Sequence, residues 1–591
     1  MCGIVGYIGK EKCIPKIISG LESLEYRGYD SAGIAYKLNN KIVIVKEKGR
    51  IENLKKVLNE GEESYSGIGH TRWATHGKPC KENSHPHKQG RVTIVHNGII
   101  ENYESLKNDL KDYNFKSETD TEVVAALIDN LLKSYDILTV LNMLKDYLVG
   151  SYALGIMIDG DDKIYAIRKD SPLIVGVSDE GNFIASDVPA ILNFTNKYHL
   201  LLNDEYVVLG DGVTIYNDGK VVEKELLTFD MGVEAAMKNG YEHFMLKEIY
   251  EQPKVIMDTI KEYIYDIKSL ESKLSGLEKY ESIDIVGCGS AYHVGLVGKS
   301  LISKYGHVFV NADVASEYRY TNHYPRKNHL IILISQSGET ADTLAVLRQA
   351  KEQGIPTLAI VNVVGSSIAR EADKVLYIKA GPEIAVATTK AYTCQLMILS
   401  LIAAYLGIKN GLLDENILDE YRNIDSVLEG ILENTDDTLE IAKMIKNCKD
   451  IFFLGRKVDY AYAMEASLKL KEISYLHSEA YAAGELKHGT ISLIENKTPV
   501  ISIITDDSIR LKTMSNIKEV CARGALSIVI SNEEILDKDL YKKLIVIPKL
   551  SDLVGGVLAI VKCQLIAYYV AKLNGCDIDK PRNLAKSVTV E

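Results

Sequence analysis

Cys2 is the first residue along the chain whose chemistry points to catalysis. It directly follows the initiator methionine, so removal of Met1 would place a thiol and a free α-amine in the same residue. An α-amine has an ordinary pKa of about 8, low enough to be partly neutral near pH 7 and to accept the thiol proton. The position therefore predicts an N-terminal nucleophile, although a buried cysteine at the start of a strand fits the same residue.

Three short segments further along could complete a site around such a nucleophile. Residues 69–77 read GHTRWATHG and contain Arg72, whose planar guanidinium suits a carboxylate. Asn97 and Gly98 end a strand-like run, where an amide and a backbone N–H could hold an oxyanion. Asp120 opens a helical pattern and could bind an α-ammonium. Each segment also has an ordinary interpretation, namely a surface ion pair, a hairpin turn and a helix N-cap.

A second group of polar residues lies at strand-to-helix transitions in the later part of the chain. The apolar run at residues 331–334 leads into SQSGETADT, and the turn GCGS at residues 287–290 resembles it. Hydroxyls and free N–H groups at a helix N-terminus form a natural phosphate cradle, although a cluster of helix caps has the same composition. Nucleotide-binding patterns fail, because Tyr292 and His293 stand where the GxGxxG and P-loop motifs need glycine.

The elements that must position these residues change in character near residue 240. Before it, short runs with period-two alternation, such as GIVGYI, RVTIVHNG and YALGIMI, predict an α+β layered domain with two or three helices, one of them near residues 122–133. Residues 232–253 predict a polar helical connector. After it, apolar strands alternate with helical patterns, which is typical of parallel sheets covered by helices.

The strand pattern of the later part occurs twice. IDIVGCG near residue 285 resembles IFFLGRK near residue 453, and HLIILIS resembles TPVISIITD, at an offset of roughly 170 residues. We therefore predict an N-terminal domain at residues 1–240 and duplicated α/β domains at residues 241–430 and 431–591, the last carrying the C-terminal tail.

The bulk composition narrows the possible class of protein. A net charge of −12 argues against a broad surface that binds nucleic acid or an anionic membrane. The apolar stretch at residues 396–406 is shorter than the roughly 18 residues of a spanning helix, and no signal peptide is apparent. Nine widely spaced cysteines without a CxxC pair favour a reducing cytoplasm. HPH at residues 85–87 completes no recognisable ligand set, so no metal site is predicted.

Together, the N-terminal motifs resemble the glutaminase domain of the glutamine–fructose-6-phosphate aminotransferases. The resemblance covers the whole domain and is carried by MCGIVGYIG, LEYRGYDSAGIA, GHTRWATHG, HPH, VHNGIIENY and SETDTEV. It implies that Cys2 attacks the glutamine amide with its own α-amine as general base. It further implies the roles of the surrounding residues: an oxyanion hole of Asn97 and Gly98, a carboxylate ligand in Arg72, an α-amino ligand in Asp120, pocket walls of Thr75 and His76, and a gate for ammonia in Trp73.

The rest of the chain resembles the isomerase half of the same family. The matching segments are CGSAYH, SQSGETADT, EIAVATTKAYTCQ, EASLKLKEISYLHSEAYAAGELKHG and KPRNLAKSVTVE. The implied substrate is fructose 6-phosphate. The implied contacts are a phosphate site of Ser290, Ser335, Gln336, Ser337 and Thr340, and a sugar site lined by Val386 and Thr388.

Four further residues would perform the sugar chemistry by the same resemblance. His488 would open the ring, as its ordinary pKa allows near neutral pH. Glu472 would move a proton between C1 and C2, with Lys469 on the same helical face. Lys586 would form a Schiff base with the open-chain ketose. Without the resemblance, Glu465, Lys469 and Glu472 would be predicted as a surface ion-pair ladder.

The resemblance thus implies an enzyme that makes D-glucosamine 6-phosphate and L-glutamate by internal ammonia transfer, the first step of hexosamine synthesis toward UDP-N-acetylglucosamine. It implies no cofactor, because the Schiff base would form on Lys586. It also implies a homodimer, with His488 supplied across the subunit boundary. The alternatives are another glutamine amidotransferase, whose diphosphate or ATP loop this sequence lacks, and a sugar-phosphate-binding module. The presence of Glu472, His488 and Lys586 argues against the binding module.

Overall fold

The computed structural model describes residues 2–74, 76–229, 238–324 and 326–589 of the 591-residue chain. The chain divides into two compact units, one comprising the residues up to Ala236 with the tail from Ala585, the other running from Met237 to Leu584. Part of the predicted connector at residues 232–253 lies outside the described residues. The boundaries near residues 240 and 430 stay predictions.

Antiparallel strands build the first unit. Their bounds are β1 (Gly3–Gly9), β2 (Ser31–Leu38), β3 (Lys41–Lys48), β4 (Ser66–Arg72), β5 (His87–Gln89), β6 (Val92–Ile100), β7 (Gly150–Ile158), β8 (Ile164–Lys169), β9 (Ile174–Val177), β10 (Gly181–Ala185), β11 (Lys197–Leu200), β12 (Tyr206–Leu209), β13 (Val213–Asn217), β14 (Lys220–Val222) and β15 (Leu227–Thr228). Within the described residues they form one sheet of order β15-β11-β9-β10-β1-β4-β2-β3 and another of order β14-β13-β12-β8-β7-β6-β5.

Helices cover these two sheets on their outer faces. Their bounds are α1 (Cys13–Leu24), α2 (Ile51–Val57), α3 (Tyr103–Asp109), α4 (Asp120–Leu131) and α5 (Ile137–Tyr147). Ile4, Ile68, Val95 and Ile184 meet in the core between the sheets, because alternate residues of each strand point to the same face. The prediction of a layered α+β domain is confirmed, but two or three helices was too few, since α2 and α3 have seven residues each and show little periodicity.

Parallel sheets build the second unit. The strands are β16 (Ser282–Gly287), β17 (Phe309–Val314), β18 (His329–Ser335), β19 (Thr357–Val361), β20 (Lys374–Tyr377), β21 (Asp450–Gly455), β22 (His477–Ala482), β23 (Pro499–Ile504), β24 (Leu526–Ser531) and β25 (Lys543–Val546). Their orders are β17-β16-β18-β19-β20 and β22-β21-β23-β24-β25 in the described part of the chain. The matching orders confirm the predicted duplication of an α/β parallel-sheet domain.

Helices flank both parallel sheets. They are α6 (Phe244–Tyr250), α7 (Gln252–Ile260), α8 (Ile267–Leu274), α9 (Ser290–Gly306), α10 (Ala315–Tyr318), α11 (Ala341–Glu352), α12 (Ser367–Glu371), α13 (Lys390–Lys409), α14 (Leu418–Arg422), α15 (Ile424–Glu433), α16 (Asp436–Ile445), α17 (Val458–Ser474), α18 (Arg510–Cys521) and α19 (Gly555–Leu573). Apolar residues of α9, α13, α17 and α19 join a core cluster that also contains residues of both sheets. The two halves of the second unit therefore share one hydrophobic core.

The turn from the first strand of each half into its helix keeps one backbone conformation. Gly289, before α9, has φ 55° and ψ −125°, and Lys457, before α17, has φ 49° and ψ −122°. A positive φ costs glycine little, whereas it costs a lysine about 1–2 kcal/mol. The geometry of this turn has thus been kept in both copies while its side chains differ.

Two helices of the second unit are long and apolar. Helices α13 and α19 have 20 and 19 residues and contain 18-residue windows with mean hydropathies of 1.7 and 1.5, so by length and composition alone each could cross a membrane. The apolar stretch at residues 396–406 lies within the first of them. In the apolar windows of these helices, 94% and 83% of the residues are buried inside the protein, which is typical of core helices.

The contact between α9 and α13 provides a test of this shared core. Leu399 is fully buried, and a Cβ added at Gly298 would lie 2.3 Å from its Cδ1. Leu399→Ala should lower the free energy of unfolding by about 2–5 kcal/mol, because it leaves a cavity. The control Leu412→Ala, at a side chain that is 44% exposed, should change it by less than about 0.5 kcal/mol. Equal effects in urea unfolding followed by circular dichroism would contradict the assigned packing.

Candidate active sites

The thiol of Cys2 lies against the backbone of Trp73. Trp73 donates its N–H to Cys2 Sγ at 3.2 Å, and Sγ lies 3.5 Å from the Trp73 carbonyl oxygen. Burial raises the pKa of the Cys2 thiol, while this N–H and the Arg72 guanidinium act in the opposite direction. The thiol is therefore mainly protonated at neutral pH and needs a base before it can attack.

Asn97 and Gly98 lie beside Cys2 at the middle of β6. Asn97 Nδ2 donates to the Cys2 carbonyl oxygen at 2.9 Å. Gly98 has φ 129°, and a Cβ there would lie 2.0 Å from the Ser151 carbonyl oxygen. Only glycine fits this position, because any side chain would collide with the neighbouring strand β7. The predicted oxyanion-hole residues are thus brought together next to the predicted nucleophile.

Arg72 is buried with part of its guanidinium unused. Its Nη2 donates to the carbonyl oxygens of His76 and, at 3.2 Å, of Gly77. Its Nη1 is buried and makes no hydrogen bond within the described residues. Burial lowers the pKa of Arg72, yet an arginine keeps its charge at neutral pH. A buried cationic donor without a partner suits an incoming carboxylate.

Asp120 is held in place at the beginning of α4. Its Oδ2 accepts the Ile100 N–H at 2.8 Å and its Oδ1 accepts the Thr121 N–H at 2.9 Å. These bonds fix a carboxylate at the positive end of a helix. It is 4% exposed, so an α-ammonium could reach it only inside the pocket.

The other predicted pocket residues are in part described. The His76 ring contacts Tyr103 edge-on at 5.5 Å, and the Trp73 ring contacts Tyr29 edge-on at 5.7 Å. Thr75 lies outside the described residues. The structure therefore places two aromatic rings near the predicted glutamine site but leaves their predicted roles untested.

A cluster of buried histidines, His70, His85, His87 and His96, lies where β4 and β6 meet. His70 stacks on His85 at 4.1 Å and hydrogen-bonds the His96 carbonyl oxygen at 2.8 Å. Burial lowers the pKa of all four, to about 3 for His70. Neutral imidazoles are therefore part of the core here. In the ranges that the structure describes, no group of three or more His, Cys, Asp or Glu side chains is arranged to hold a metal ion.

The serine-rich turn of the second unit follows β18. Ser335 Oγ accepts the Gly338 N–H at 3.0 Å and lies 2.8 Å from Thr340 Oγ1. Ser337 Oγ accepts the Glu339 N–H at 3.2 Å. Thr340 is the N-cap of α11, so these hydroxyls gather at a helix N-terminus.

Ser290 belongs to a neighbouring turn at the same sheet edge. It is the first residue of α9, after β16, which pairs in parallel with β18. Cys288 and Thr343 connect the two turns through an Sγ–Oγ1 contact of 3.8 Å. The structure therefore brings Ser290 and the residues 335–340, including half-buried Gln336, to one edge, as a phosphate cradle needs.

Lys469 is a buried cation between two carboxylates of α17. Its Nζ lies 2.6 Å from Glu472 Oε2 and 3.4 Å from Glu465 Oε1. Lys469 is 1% exposed and Glu465 is fully buried. Burial lowers the pKa of Lys469, but the attraction of the two carboxylates together has the larger effect. The pKa of Lys469 therefore lies above its ordinary value. The surface-ladder interpretation of these residues is therefore wrong.

The predicted sugar-site residues lie in the loop before α13. Thr388 Oγ1 donates to Glu383 Oε2 at 2.9 Å, and Val386 donates its N–H to the Asp579 carbonyl oxygen at 3.0 Å. Glu383 also helps to raise the pKa of Lys469, so this loop lies within electrostatic range of that lysine.

The remaining two catalytic candidates are on other segments. His488 ends a single 3-10 turn and is exposed, and its imidazole makes no hydrogen bond or ion pair in the described part of the protein. Lys586 is half-buried in the tail that groups with the first unit.

The sequence pattern gave no sign that three further polar residues belong to the interior near these candidates. They are Glu465, His293 and Glu383, and only their burial distinguishes them from surface residues.

Comparison with known proteins assigns both units. A family model described as a glutamine amidotransferase domain matches residues 70–193, and one described as a SIS domain matches residues 276–405 and 444–545. Over 100% of both chains, this chain is 50% identical to a protein of Clostridium tetani and 46% identical to one of Staphylococcus epidermidis, each named glutamine–fructose-6-phosphate aminotransferase (isomerizing). The solved C-terminal domain of glucosamine-fructose-6-phosphate aminotransferase from Francisella tularensis matches with a TM-score of 0.55 and 37% identity, covering 58% of this chain and 99% of that one.

The raised pKa of Cys2 predicts how its thiol responds to alkylation. Because the thiolate reacts, the rate of iodoacetamide labelling at Cys2 should still be rising at pH values above the ordinary cysteine pKa of about 8.5. Peptide mass spectrometry measures the rate at each cysteine separately. Cys13, fully buried with its pKa raised to about 11, is the control and should stay unlabelled. A Cys2 rate that reaches its plateau below about pH 8 would contradict the assigned environment.

Proposed function

The chain belongs to the glutamine–fructose-6-phosphate aminotransferase (isomerizing) family, and from this premise we propose how its residues carry out the reaction. The enzyme uses L-glutamine to aminate and isomerise D-fructose 6-phosphate, which gives D-glucosamine 6-phosphate and L-glutamate and begins hexosamine synthesis. The residue roles given below are proposals; those of His488 and Lys586 rest on the family resemblance alone.

The first unit releases ammonia from glutamine. Arg72 Nη1 binds the substrate carboxylate and Asp120 binds its α-ammonium, which orients the side-chain amide toward Cys2. After removal of Met1, the α-amine of Cys2 takes the thiol proton and the thiolate attacks the amide carbon. The negative oxygen that forms is stabilised by Asn97 Nδ2 and the Gly98 N–H. The α-ammonium of Cys2 returns the proton to the amide nitrogen, the C–N bond breaks and ammonia leaves; water then releases glutamate from the thioester.

The second unit receives the ammonia and aminates the sugar. The turns at Ser290 and at residues 335–340 bind the phosphate, and His488 moves the proton that opens the ring. Lys586 in its neutral form condenses with the C2 carbonyl and releases water. Ammonia then replaces the lysine at C2. Glu472 takes a proton from C1 and one is returned at C2, which leaves an aldehyde at C1 and an amine at C2.

The buried Lys469–Glu472 pair is the observation that carries this proposal. Placing a full ammonium in the protein interior is costly unless carboxylates surround it, and a buried ion pair is often no better for stability than apolar packing. Here the cation lies beside a carboxylate whose side chain is still 20% exposed, so that Glu472 can reach a substrate. A carboxylate that is fixed in position and still open to a substrate can take a proton next to a carbonyl.

We also propose that the protein is a cytoplasmic homodimer that needs no cofactor. The exposed position of His488 supports this, because a proton-transfer residue has to be enclosed in the working site, and a second subunit could enclose it. Wide cysteine spacing in the sequence favours the reducing compartment.

Product analysis tests the proposed reaction. Purified protein with L-glutamine and D-fructose 6-phosphate, without ATP or added metal, should form glucosamine 6-phosphate and glutamate in equal amounts. Cys2→Ala should abolish synthesis from glutamine, because the nucleophile is lost. Glutamate formation without an amino sugar would show that the acceptor is wrong while the first unit is correctly assigned.

Subunit complementation tests the origin of His488. The variants Glu472→Gln and His488→Ala should each be inactive in sugar amination. When they are co-expressed and assort at random, about half of the dimers are hybrids, and one of the two sites in each hybrid combines both intact residues, so the mixture should regain about a quarter of the wild-type specific activity. A mixture that stays inactive, with hybrid dimers verified by mass spectrometry, would mean that His488 acts within its own chain.

A further inference from the structure

Glu465 is a buried carboxylate that joins the two halves of the second unit. Its Oε1 accepts the Ser290 hydroxyl at 2.9 Å, and its Oε2 lies 2.8 Å from His293 Nδ1. Ser290 and His293 belong to α9, whereas Glu465 belongs to α17. The same Oε1 lies 3.4 Å from Lys469 Nζ. One carboxylate oxygen thus contacts both a residue of the phosphate turn and the lysine of the catalytic pair.

Lys469 is shared unequally between its two carboxylates. Its Nζ is 2.6 Å from Glu472 but 3.4 Å from Glu465. Since the attraction between charges falls with distance, the Lys469 ammonium is attracted more strongly to Glu472 than to Glu465 in this arrangement. While the ammonium occupies Glu472 Oε2 at this distance, that oxygen is not available to take a proton from a substrate.

The Ser290 hydroxyl has a single proton to donate. In the structure that proton goes to Glu465, so it cannot also go to a phosphate oxygen. A phosphate dianion offers only acceptors, so its arrival at this turn draws the hydroxyl proton away from Glu465. The Glu465 carboxylate is fully buried, and it then needs a replacement donor, since an uncompensated buried charge is costly. Lys469 is already adjacent to the oxygen that loses its partner.

We propose that Glu465 is a positioning residue that competes with Glu472 for the Lys469 ammonium, and that phosphate binding at Ser290 shifts the lysine toward Glu465. Glu472 is thereby released as a base only when a phosphorylated sugar is present. The inference rests on the proposed function, in which Ser290 binds phosphate and Glu472 moves the proton.

Other charged or titratable groups face this pair from the surrounding elements. They are His293 on α9, Glu383 in the loop before α13, and Tyr392 on α13, whose pKa is raised by burial and then by the charge of Glu465. They are the same in every variant compared below, so a difference in pH profile between variants reports the competition for Lys469.

Two substitutions should move the pH profile in opposite directions. In Glu465→Gln the lysine loses its second carboxylate and stays with Glu472. The acidic limb of kcat, which reports the complex with fructose 6-phosphate, should therefore move down by about 0.5–1 pH unit, and kcat should fall about tenfold. In Ser290→Ala, Glu465 has lost its hydroxyl donor and draws Lys469 even without phosphate. The acidic limb of kcat/KM, which reports the free enzyme, should therefore move up by about 0.5 pH unit, and KM should rise.

Matched controls separate positioning from a structural effect. Glu440→Gln makes the same chemical change at an exposed carboxylate paired with Lys543 and should leave the profile unchanged. Ser290→Thr keeps the hydroxyl and should retain the wild-type limb. If Glu465→Gln does not fold, as judged by circular dichroism, the Ser290→Ala and Ser290→Thr pair still tests the upward shift.

The outcomes distinguish this inference from the proposed function. Acidic limbs that do not move, or that move in the same direction in both variants, would overturn the competition for Lys469. A lower kcat and thermal midpoint with an unmoved limb would mean that Glu465 is only structural, and would also overturn it. Wild-type protein that makes no glucosamine 6-phosphate would instead refute the proposed function.

Discussion

Lys469 keeps a positive charge in the interior of the second unit, and the surrounding packing depends on how that charge is balanced. Burial alone would lower its pKa, whereas Glu472 and Glu465 raise it. Glu465 in turn is satisfied by Ser290 and His293 of the other half. The balance therefore requires α9 and α17 to lie together, and it connects the turn at Ser290 to the helix that bears Glu472.

The first unit handles buried charge differently. Arg72 is buried without a carboxylate partner in the contacts described, and its neighbours are backbone carbonyl groups. The histidines around it are kept neutral by burial, so they add no second cation. One guanidinium nitrogen is left without a hydrogen bond in the part of the chain that the structure describes. A substrate carboxylate would supply the missing partner, so the pocket is most stable when it is occupied.

The two halves of the second unit share a backbone plan but carry different polar side chains. Each has the same strand order and the same unusual turn before its helix. The first half kept small residues and hydroxyls at that turn, whereas the second has Arg456 and Lys457 there and places its chemistry further along α17. The side chains of the two copies thus differ on a shared backbone, so each half presents different chemical groups at equivalent positions.

Local patterns in the sequence determined the elements and the candidate residues of this protein. Alternating runs such as GIVGYI and the repeated strand–helix pattern are visible within a few residues, and Cys2, Asn97, Gly98 and Asp120 stood out by type and position. Strand β4 has no such pattern, because SGIGHTR contains two glycines and shows little alternation. Its extended conformation is stabilised by pairing with both β1 and β2. Only the tertiary structure decided that Glu465 and Lys469 are buried rather than surface residues. Burial depends on which distant segments pack together, and Glu465 meets His293 across 172 positions of the chain.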